Sequence, residues 1–194
     1  MNGKICMVTG ATSGIGEVTA RALAQMGATV IVVGRDPVRG AAALERIRSA
    51  TDNMAVELML ADLSSLQGIR QLAQQFKHKY PRLHVLVNNA GALFTVRQQS
   101  VDGIEMTFAL NHLNYFLVTN LLLDTLKASA PARIVNVGAS AHQFARQMNF
   151  DDLQSQRKYS GWGAYGQSKL CNLLFTYELA RRLKGVGVTV NAVH

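Results

Sequence analysis

Six short apolar runs, rich in valine and isoleucine, alternate along this chain with five longer segments of helical period. The runs are Lys4–Thr9, Ala28–Gly34, Ala55–Asp62, His84–Gly91, Ala132–Ser140 and Gly187–His194. The helical segments are Ile15–Met26, Val38–Ala50, Leu66–Lys79, Gly103–Lys127 and Gly163–Lys184. The fourth of these segments could be divided by a break. Strands that alternate with helices form parallel sheets, and near-continuous apolar strands indicate burial on both faces.

This alternation predicts an α/β fold, namely a Rossmann-like doubly wound parallel sheet with helices on both faces. Right-handed crossovers in such a sheet place a ligand at the carboxyl ends of the strands. The length of 194 residues suits a single domain, 1–194. The polar segment 146–163 is expected to be a long loop that carries binding elements.

Composition excludes several functional classes. A hydrophobic content of 48% with 16% charged residues indicates a folded globular chain. The net charge of +8 could favour an anionic partner, but no basic run is longer than Arg181–Arg182, so we expect no nucleic-acid partner. Cys6 and Cys171 lie far apart without a Cys/His cluster, which predicts buried free thiols in a reducing compartment and no metal site.

No membrane segment is expected from the sequence. The first strand pattern begins at Lys4, which leaves no room for a signal peptide or an N-terminal anchor. The most apolar helical stretch, Tyr115–Leu126, is interrupted by polar residues and is shorter than the roughly 20 residues that a span needs. We therefore expect a cytoplasmic protein.

A glycine-rich loop, TGATSGIG, follows the first predicted strand and opens the first helix. Gly10, Gly14 and Gly16 give it the spacing G-x-x-x-G-x-G, which differs from the usual G-x-G-x-x-G. Glycines permit a tight turn and let backbone amides and a helix N-terminus approach a pyrophosphate, while Thr12 and Ser13 can add hydroxyl donors. The loop predicts phosphate binding; the alternative is a connection without a ligand.

The end of the second strand bears on the choice of cofactor. An acidic residue there usually binds the 2′-hydroxyl of NAD, whereas arginine accommodates the 2′-phosphate of NADP. Here Arg35 follows Gly34, and Asp36 before Pro37 is expected to cap the next helix. This favours NADP over NAD, unless Arg35 is simply a solvated surface charge.

Polar residues also end the third and fourth strands. Asp62 could accept a hydrogen bond from an adenine amino group, cap the helix that starts near Ser64, or do both. In the NNAG stretch, Asn88–Gly91, amide side chains can bond the loop backbone and Gly91 lets the chain pass close to a ligand. A plain turn is the alternative for this stretch.

Tyr165 and Lys169 lie four residues apart in the last predicted helix and so share one face. Free tyrosine has a pKa near 10, and a nearby ammonium is expected to lower it. With a hydroxyl from a neighbouring strand end, such a pair could move a proton to or from a substrate oxygen. The alternative is a surface pair without function.

The glycine loop, NNAG and Y-x-x-x-K occur in one order at matching topological places, and in this the chain resembles the short-chain dehydrogenase/reductase family from Lys4 to His194. The similarity is greatest to retinol-dehydrogenase-like and related carbonyl-reductase members. The stretches that carry it are GRD, ADLSSL, NHLNYFLVTNLLL, RIVNV and YGQSKLCNLLFTYELARRL.

The resemblance implies roles for individual residues. Tyr165 would be the general acid/base, and Lys169 would hold the nicotinamide ribose and depress the Tyr165 pKa. Ser140 would bond the substrate oxygen, and Asn111 would bind a water that links Lys169 to solvent. The implied cofactor contacts are Gly10, Ser13, Ile15, Arg35, Asp62, Leu63 and Asn89, to which the motifs add Thr12, Gly14, Gly16, Ala90 and Gly91.

Departures from the family pattern occur beside two of these residues. Relatives often carry two serines after a strand like IVNV, where this chain has Gly138, Ala139 and Ser140. In the family pattern the second of these serines is catalytic. When residues are counted forward from Asn136, that position falls on Ala139; when they are counted back from Tyr165, it falls on Ser140. We favour Ser140, because a bulge can absorb one extra residue at a strand end. Asn114 replaces a common glycine, which predicts different packing near Asn111.

Relatives also continue beyond VNAVH with a substrate loop, another helix and a last strand. The sequence is therefore expected to be a fragment that lacks these parts, and the full-length protein could form a homo-oligomer. The expected activity is NADP-dependent interconversion of an alcohol and a carbonyl, with a retinoid, steroid or lipid aldehyde as substrate. The alternatives are an NADP(H)-binding protein without turnover and a basic module that binds nucleic acid or a membrane surface.

Overall fold

The computed structural model describes residues 1–145 and 147–194; Arg146, the first residue of the predicted loop, lies outside the described residues. Six parallel strands form one sheet in the order β3-β2-β1-β4-β5-β6. They are β1 Ile5–Thr9, β2 Thr29–Gly34, β3 Val56–Leu60, β4 Val85–Asn88, β5 Ala132–Val137 and β6 Val188–Val193. The helices are α1 Gly14–Gln25, α2 Pro37–Thr51, α3 Leu66–Lys79, α4 Met106–Phe108, α5 Asn114–Ala128 and α6 Gly161–Arg182.

The doubly wound sheet predicted from the sequence is confirmed, and the differences lie at the ends of elements. Strands β4 and β5 stop at Asn88 and Val137, so the residues after them leave the sheet at the edge of a cleft. The fourth predicted helix starts at Met106 and continues through a π-helical turn, Ala109–Leu113, into α5. The predicted loop contains a 3₁₀ turn, Phe150–Asp152.

Alternate residues of each strand point to opposite faces, which creates two apolar layers. One layer joins Met7, Ile31 and Leu86 of the sheet to helices α3, α5 and α6. The other joins Val8 and Val32 to α1 and α2. Both layers consist largely of fully buried aliphatic side chains, so the sheet fixes the strand ends as a rigid platform.

A buried chain of hydrogen bonds ties α6 to the centre of the sheet. Asn88 Nδ2 donates to Asn136 Oδ1 at 2.8 Å, and Asn136 Nδ2 donates to Thr176 Oγ1 at 2.9 Å. Thr176 Oγ1 in turn donates to the backbone carbonyl of Asn172 at 2.7 Å. Because these groups are fully or almost fully buried, the bonds act in a low dielectric and fix the position of α6.

Cys6 and Cys171 are buried free thiols, as the sequence predicted. Within residues 1–145 and 147–194, no helix combines the length and apolar character needed to cross a membrane. The same described residues contain no group of three or more His, Cys, Asp or Glu side chains suited to a metal ion.

Candidate active site

A cleft with a volume of about 1520 Å³ lies at the carboxyl ends of the strands and gathers most of the residues predicted to form the site. Its lining includes Gly10, Thr12, Ser13, Ile15, Gly16, Arg35, Asp62, Leu63, Asn89, Ala90, Gly91, Ser140, Tyr165 and Lys169. Gly14 and Asn111 are not part of this lining. Asn111 is fully buried behind it, in the π-helical turn.

The glycine loop leaves no room for side chains at two places. Gly10 has a φ of +65°, and a Cβ there would lie 2.7 Å from Ala90 Cα. A Cβ on Gly16 would lie 2.5 Å from both the Gly10 carbonyl oxygen and Asn89 Nδ2. The N-cap of α1, Ser13, makes no side-chain capping bond within the described chain, so the N–H groups of the first helical turn remain available to an anion in the cleft.

The NNAG stretch connects the ends of β1 and β4. Asn89 Nδ2 donates to the carbonyls of Thr9 at 2.9 Å and Gly10 at 3.2 Å. Thr9 Oγ1 accepts from the backbone N–H groups of Asn89 at 2.9 Å and Ala90 at 3.1 Å. This stretch is therefore more than a plain turn, because it fixes the glycine loop. Sequence reasoning missed the role of Thr9, whose contacts appear only once β1 and β4 are neighbours.

Two arginines lie where β2 leads into α2. Arg35 and Arg39 are both exposed, and both line the cleft. Arg39 Nη2 donates to Ser13 Oγ at 3.4 Å. Asp36 caps α2 through Oδ1, which accepts from the N–H groups of Val38 and Arg39, as predicted. The sequence prediction named only Arg35 at the strand end and missed Arg39, whose available signal was a second arginine in the first turn of the helix that follows.

Asp62 closes a turn before α3 and does not cap that helix. Its Oδ1 accepts from the backbone N–H of Ser64 at 2.9 Å and from Ser64 Oγ at 2.7 Å. Ser65 is the residue that caps α3, with its hydroxyl accepting from the N–H of Gly68. The helix-cap alternative for Asp62 is therefore wrong, and the exposed Asp62 carboxylate lies at the cleft.

Tyr165 and Lys169 share one face of α6 and reach the cleft together. Lys169 is almost completely buried, and its Nζ donates to the Val137 carbonyl at 2.8 Å, 5.6 Å from the centre of the Tyr165 ring. Burial lowers the pKa of Lys169 to about 8. Burial also raises the pKa of Tyr165, which is opposite to the direction expected from a neighbouring ammonium.

Asn111 clamps the chain that follows β4. Its Oδ1 accepts from the N–H of Ala92 at 2.9 Å, while its Nδ2 donates to the Ala92 carbonyl at 2.9 Å and to Ser168 Oγ at 3.2 Å. A Cβ on Gly91 would lie 3.1 Å from Asn111 Oδ1 and 3.8 Å from Lys169 Nζ, so both groups border Gly91. The water expected to link Asn111 to Lys169 remains a prediction.

The chain beside Asn111 carries two further amide contacts. Asn172 on α6 donates through Nδ2 to the backbone carbonyl of Asn111 at 2.8 Å. Asn114, which replaces the common glycine, donates to the Leu110 carbonyl at 3.3 Å. Both contacts involve carbonyls of the π-helical turn, so side chains take part in fixing its backbone.

Ser140 is exposed at the cleft and begins the 3₁₀ turn Ser140–Phe144. The bulge expected before it is not found in β5, whose pairing with β6 is continuous from Ala132 to Val137. Ala139, the other candidate for the catalytic place, is extended after the strand and also lines the cleft.

Comparison with known proteins agrees with this geometry. The family model for short chain dehydrogenases matches residues 4–194. Retinol dehydrogenase 12 of Mus musculus is 48% identical over 192 residues, and Retinol dehydrogenase 13 of Homo sapiens is 49% identical over 193 residues. Both alignments cover 99% of this chain, but only 60% and 58% of the relatives. The chain thus spans about three fifths of the length of these relatives.

Solved structures show the same fold. The crystal structure of an uncharacterized protein from Mycobacterium Paratuberculosis has a TM-score of 0.85 and 39% identity, covering 98% of this chain and 67% of that one. The Pseudomonas aeruginosa RhlG/NADP active-site complex has a TM-score of 0.81 and 32% identity, covering 99% of this chain and 72% of that one. With its sheet order, its glycine loop and its Tyr165–Lys169 pair, the chain belongs to the short-chain dehydrogenase family.

Proposed function

We propose that this chain carries the cofactor site and the proton-transfer residues of an NADP-dependent oxidoreductase that interconverts an alcohol and a carbonyl. The main observation that supports this proposal is that Tyr165, Lys169 and Ser140 line the same cleft as the glycine loop and two arginines. Similarity to the retinol dehydrogenases supports an alcohol or carbonyl substrate, such as a retinoid, a steroid or a lipid aldehyde.

The residues present fit a dinucleotide. Gly10 and Gly16 let the loop pack directly against Ala90 and Asn89, and Gly14 has nothing within 4 Å of its Cβ position. The uncapped N-terminus of α1 opens beside the same loop. Backbone amides of this loop would hold the pyrophosphate, Asp62 would meet the adenine, and Lys169 would hold the nicotinamide ribose. When bound, the nicotinamide donates or accepts the hydride.

The preference for NADP follows from charge at the end of β2. Arg35 and Arg39 are both exposed and line the cleft, and Arg39 contacts Ser13, so both guanidinium groups can pair with a 2′-phosphate there. The nearest acidic side chain along the chain, Asp36, already caps α2, which leaves it less suited to accept from a 2′-hydroxyl. The related Pseudomonas aeruginosa RhlG forms a complex with NADP, which is consistent with this preference.

Proton transfer is assigned to Tyr165. A phenol is protonated at neutral pH and can donate to a carbonyl oxygen, and burial of Tyr165 favours this protonated form further by raising its pKa. The exposed Ser140 hydroxyl lines the same cleft and would bond the substrate oxygen. The Lys169 ammonium, held by the Val137 carbonyl, would stabilise the phenolate that remains after proton transfer.

Substitution of Tyr165 tests this assignment. We expect Tyr165→Phe to lower carbonyl reduction by at least about 100-fold, because general acid catalysis is lost. NADPH binding, followed by fluorescence titration, should change little. The substrates are retinal, a steroid ketone and a medium-chain aldehyde, and Tyr177→Phe on the exposed side of α6 is the matched control. Retained turnover in Tyr165→Phe would overturn the role, and NADPH binding without turnover by the unmodified protein would favour the non-catalytic alternative.

The cofactor preference has its own test. We expect Arg35→Ala and Arg39→Ala each to weaken NADPH binding by about tenfold, because each removes a charge-assisted hydrogen bond to phosphate. NADH binding should stay nearly constant, and Arg181→Ala, far along α6, should affect neither cofactor. Tighter binding of NADH than of NADPH by the unmodified protein would contradict the NADP assignment.

A further inference from the structure

A second tyrosine contacts the ammonium of Lys169. Lys169 Nζ lies over the ring of Tyr115, 5.7 Å from its centre, and 5.6 Å from the centre of the Tyr165 ring. The Tyr115 hydroxyl donates to the Val137 carbonyl at 3.4 Å, the same oxygen that accepts from Lys169 at 2.8 Å. Tyr115 of α5 thus contacts Lys169 with its ring and shares with it one backbone acceptor on β5.

The two rings differ in how firmly they are held. Tyr115 is fully buried in α5, whereas Tyr165 is half-buried and lines the cleft, where a substrate would contact it. Tyr115 can therefore hold the ammonium with or without a substrate. The tight packing around a fully buried ring also limits where the Lys169 side chain can lie.

The surroundings of Lys169 supply little other compensation for its charge. It is faced by Tyr115 from α5, by Tyr165 from its own helix and by the neutral Val137 carbonyl from β5. The neutral amide of Asn111, in the π-helical turn, lies like Lys169 Nζ within 4 Å of the Cβ position of Gly91. Removal from water disfavours the charged form of a lysine, and an aromatic face attracts a cation most strongly where water is excluded.

We propose that Tyr115 is a positioning residue that holds the Lys169 ammonium in place and favours its charged form. Tyr115 acts through Lys169 and touches neither substrate nor cofactor. The consequence for catalysis rests on the function proposed above, whereas the contact between the Tyr115 ring and the Lys169 charge does not.

Fluorination of the ring tests the contact without changing its shape. Residue 115 is changed to Phe and, by nonsense suppression, to 4-fluoro-, 3,5-difluoro- and 3,4,5-trifluorophenylalanine, which progressively weaken the negative ring face. The pKa of Lys169 is read from the ¹³Cε resonance of lysine-labelled protein, assigned by its loss in Lys169→Arg. We expect a stepwise fall of about 0.5 to 1 from Phe to the trifluoro variant.

The same fluorinated series at Phe116, the next residue of α5, is the matched control and should leave the pKa of Lys169 unchanged. A flat response at residue 115 would overturn the proposal, as would an equal response at residue 116. Carbonyl reduction is measured on the same samples, and the pH above which it declines should fall with the Lys169 pKa. If the pKa of Lys169 falls along the series but no sample reduces the carbonyl substrate, the proposed function is contradicted and the role of Tyr115 is supported.

Discussion

At the scale of single residues, Lys169 combines a positive charge with almost complete burial. It exposes only 4% of its surface, and its charge is compensated by a carbonyl and two rings. Burial lowers its pKa from 10.5 to about 8. Between these two pH values the unfolded chain binds more protons than the folded one, so stability contributed by this site rises with pH through that window. At neutral pH the buried charge therefore costs stability.

Replacing this lysine should reveal that cost. We expect Lys169→Met to raise the free energy of unfolding at pH 7 by about 1 to 3 kcal/mol. The gain should shrink as the pH rises from 8 towards 10.5, because the unfolded lysine then also loses its proton. Urea unfolding at several pH values measures this, with the exposed Lys184→Met as control. An unchanged or lower stability of Lys169→Met at pH 7 would contradict the expectation.

At the scale of elements, the placement of α1 depends on contact between its first turn and two loops. Gly16, the third residue of α1, packs against the Gly10 carbonyl and the Asn89 amide, which itself bonds the end of β1. The helix N-terminus is therefore held against the strand ends by close backbone approach. The same contact aims its free N–H groups at the cleft.

A single methyl group should disturb this contact. We expect Gly16→Ala to destabilise the protein by about 1 to 3 kcal/mol and to weaken NADPH binding, because the neighbouring atoms are backbone and a fixed amide. Gly163→Ala is the matched control in α6, where the added Cβ would make ordinary contact at 3.4 Å with Ser160. Higher helix propensity should leave Gly163→Ala equal or up to about 1 kcal/mol more stable. Thermal unfolding and NADPH titration measure both variants. Similar losses of stability and of NADPH affinity in Gly16→Ala and Gly163→Ala would contradict the proposed contact at the first turn of α1.

Hydropathy patterns predicted the order and type of the elements well, because buried strands and amphipathic helices differ in period. They could not locate the π-helical turn around Asn111, since five residues are too few for a separate helical period to be read from the sequence. They also could not decide between Ala139 and Ser140, which follow a strand whose last paired residue is Val137. Sequence motifs identified Tyr165 and Lys169, but the contact with Tyr115 exists only after α5 and α6 pack together.

At the scale of the whole molecule, the two layers of helices are unequal. Three long helices, α3, α5 and α6, cover one face of the sheet, while α1 and α2 cover the other. On that second face, Val85, Val135 and Val137 are only half-buried. Strand β6 forms an edge of the sheet, with Val193 49% exposed. Such an edge can pair with another chain.

We expect this 194-residue chain to associate increasingly as its concentration rises, through the β6 edge. Val193→Lys should reduce this association, because a charged side chain opposes strand pairing at an edge. Light scattering during size-exclusion chromatography over a range of loading concentrations measures it. Val101→Lys, at a more exposed valine outside the six strands, should have no such effect. Equal association of the unmodified and Val193→Lys chains would exclude the edge as the site of contact.

The last bonds between β5 and β6 have a dynamic consequence for Lys169. Val137 pairs with Val193, and the N–H of Gly138 donates to the Val193 carbonyl at 2.7 Å. Fraying of the outermost strand would loosen the backbone that presents the Val137 carbonyl, and with it the fixed acceptor of the Lys169 ammonium. Deuterium uptake at the Gly138 amide would therefore report how often the outer strand opens beside the acceptor of Lys169.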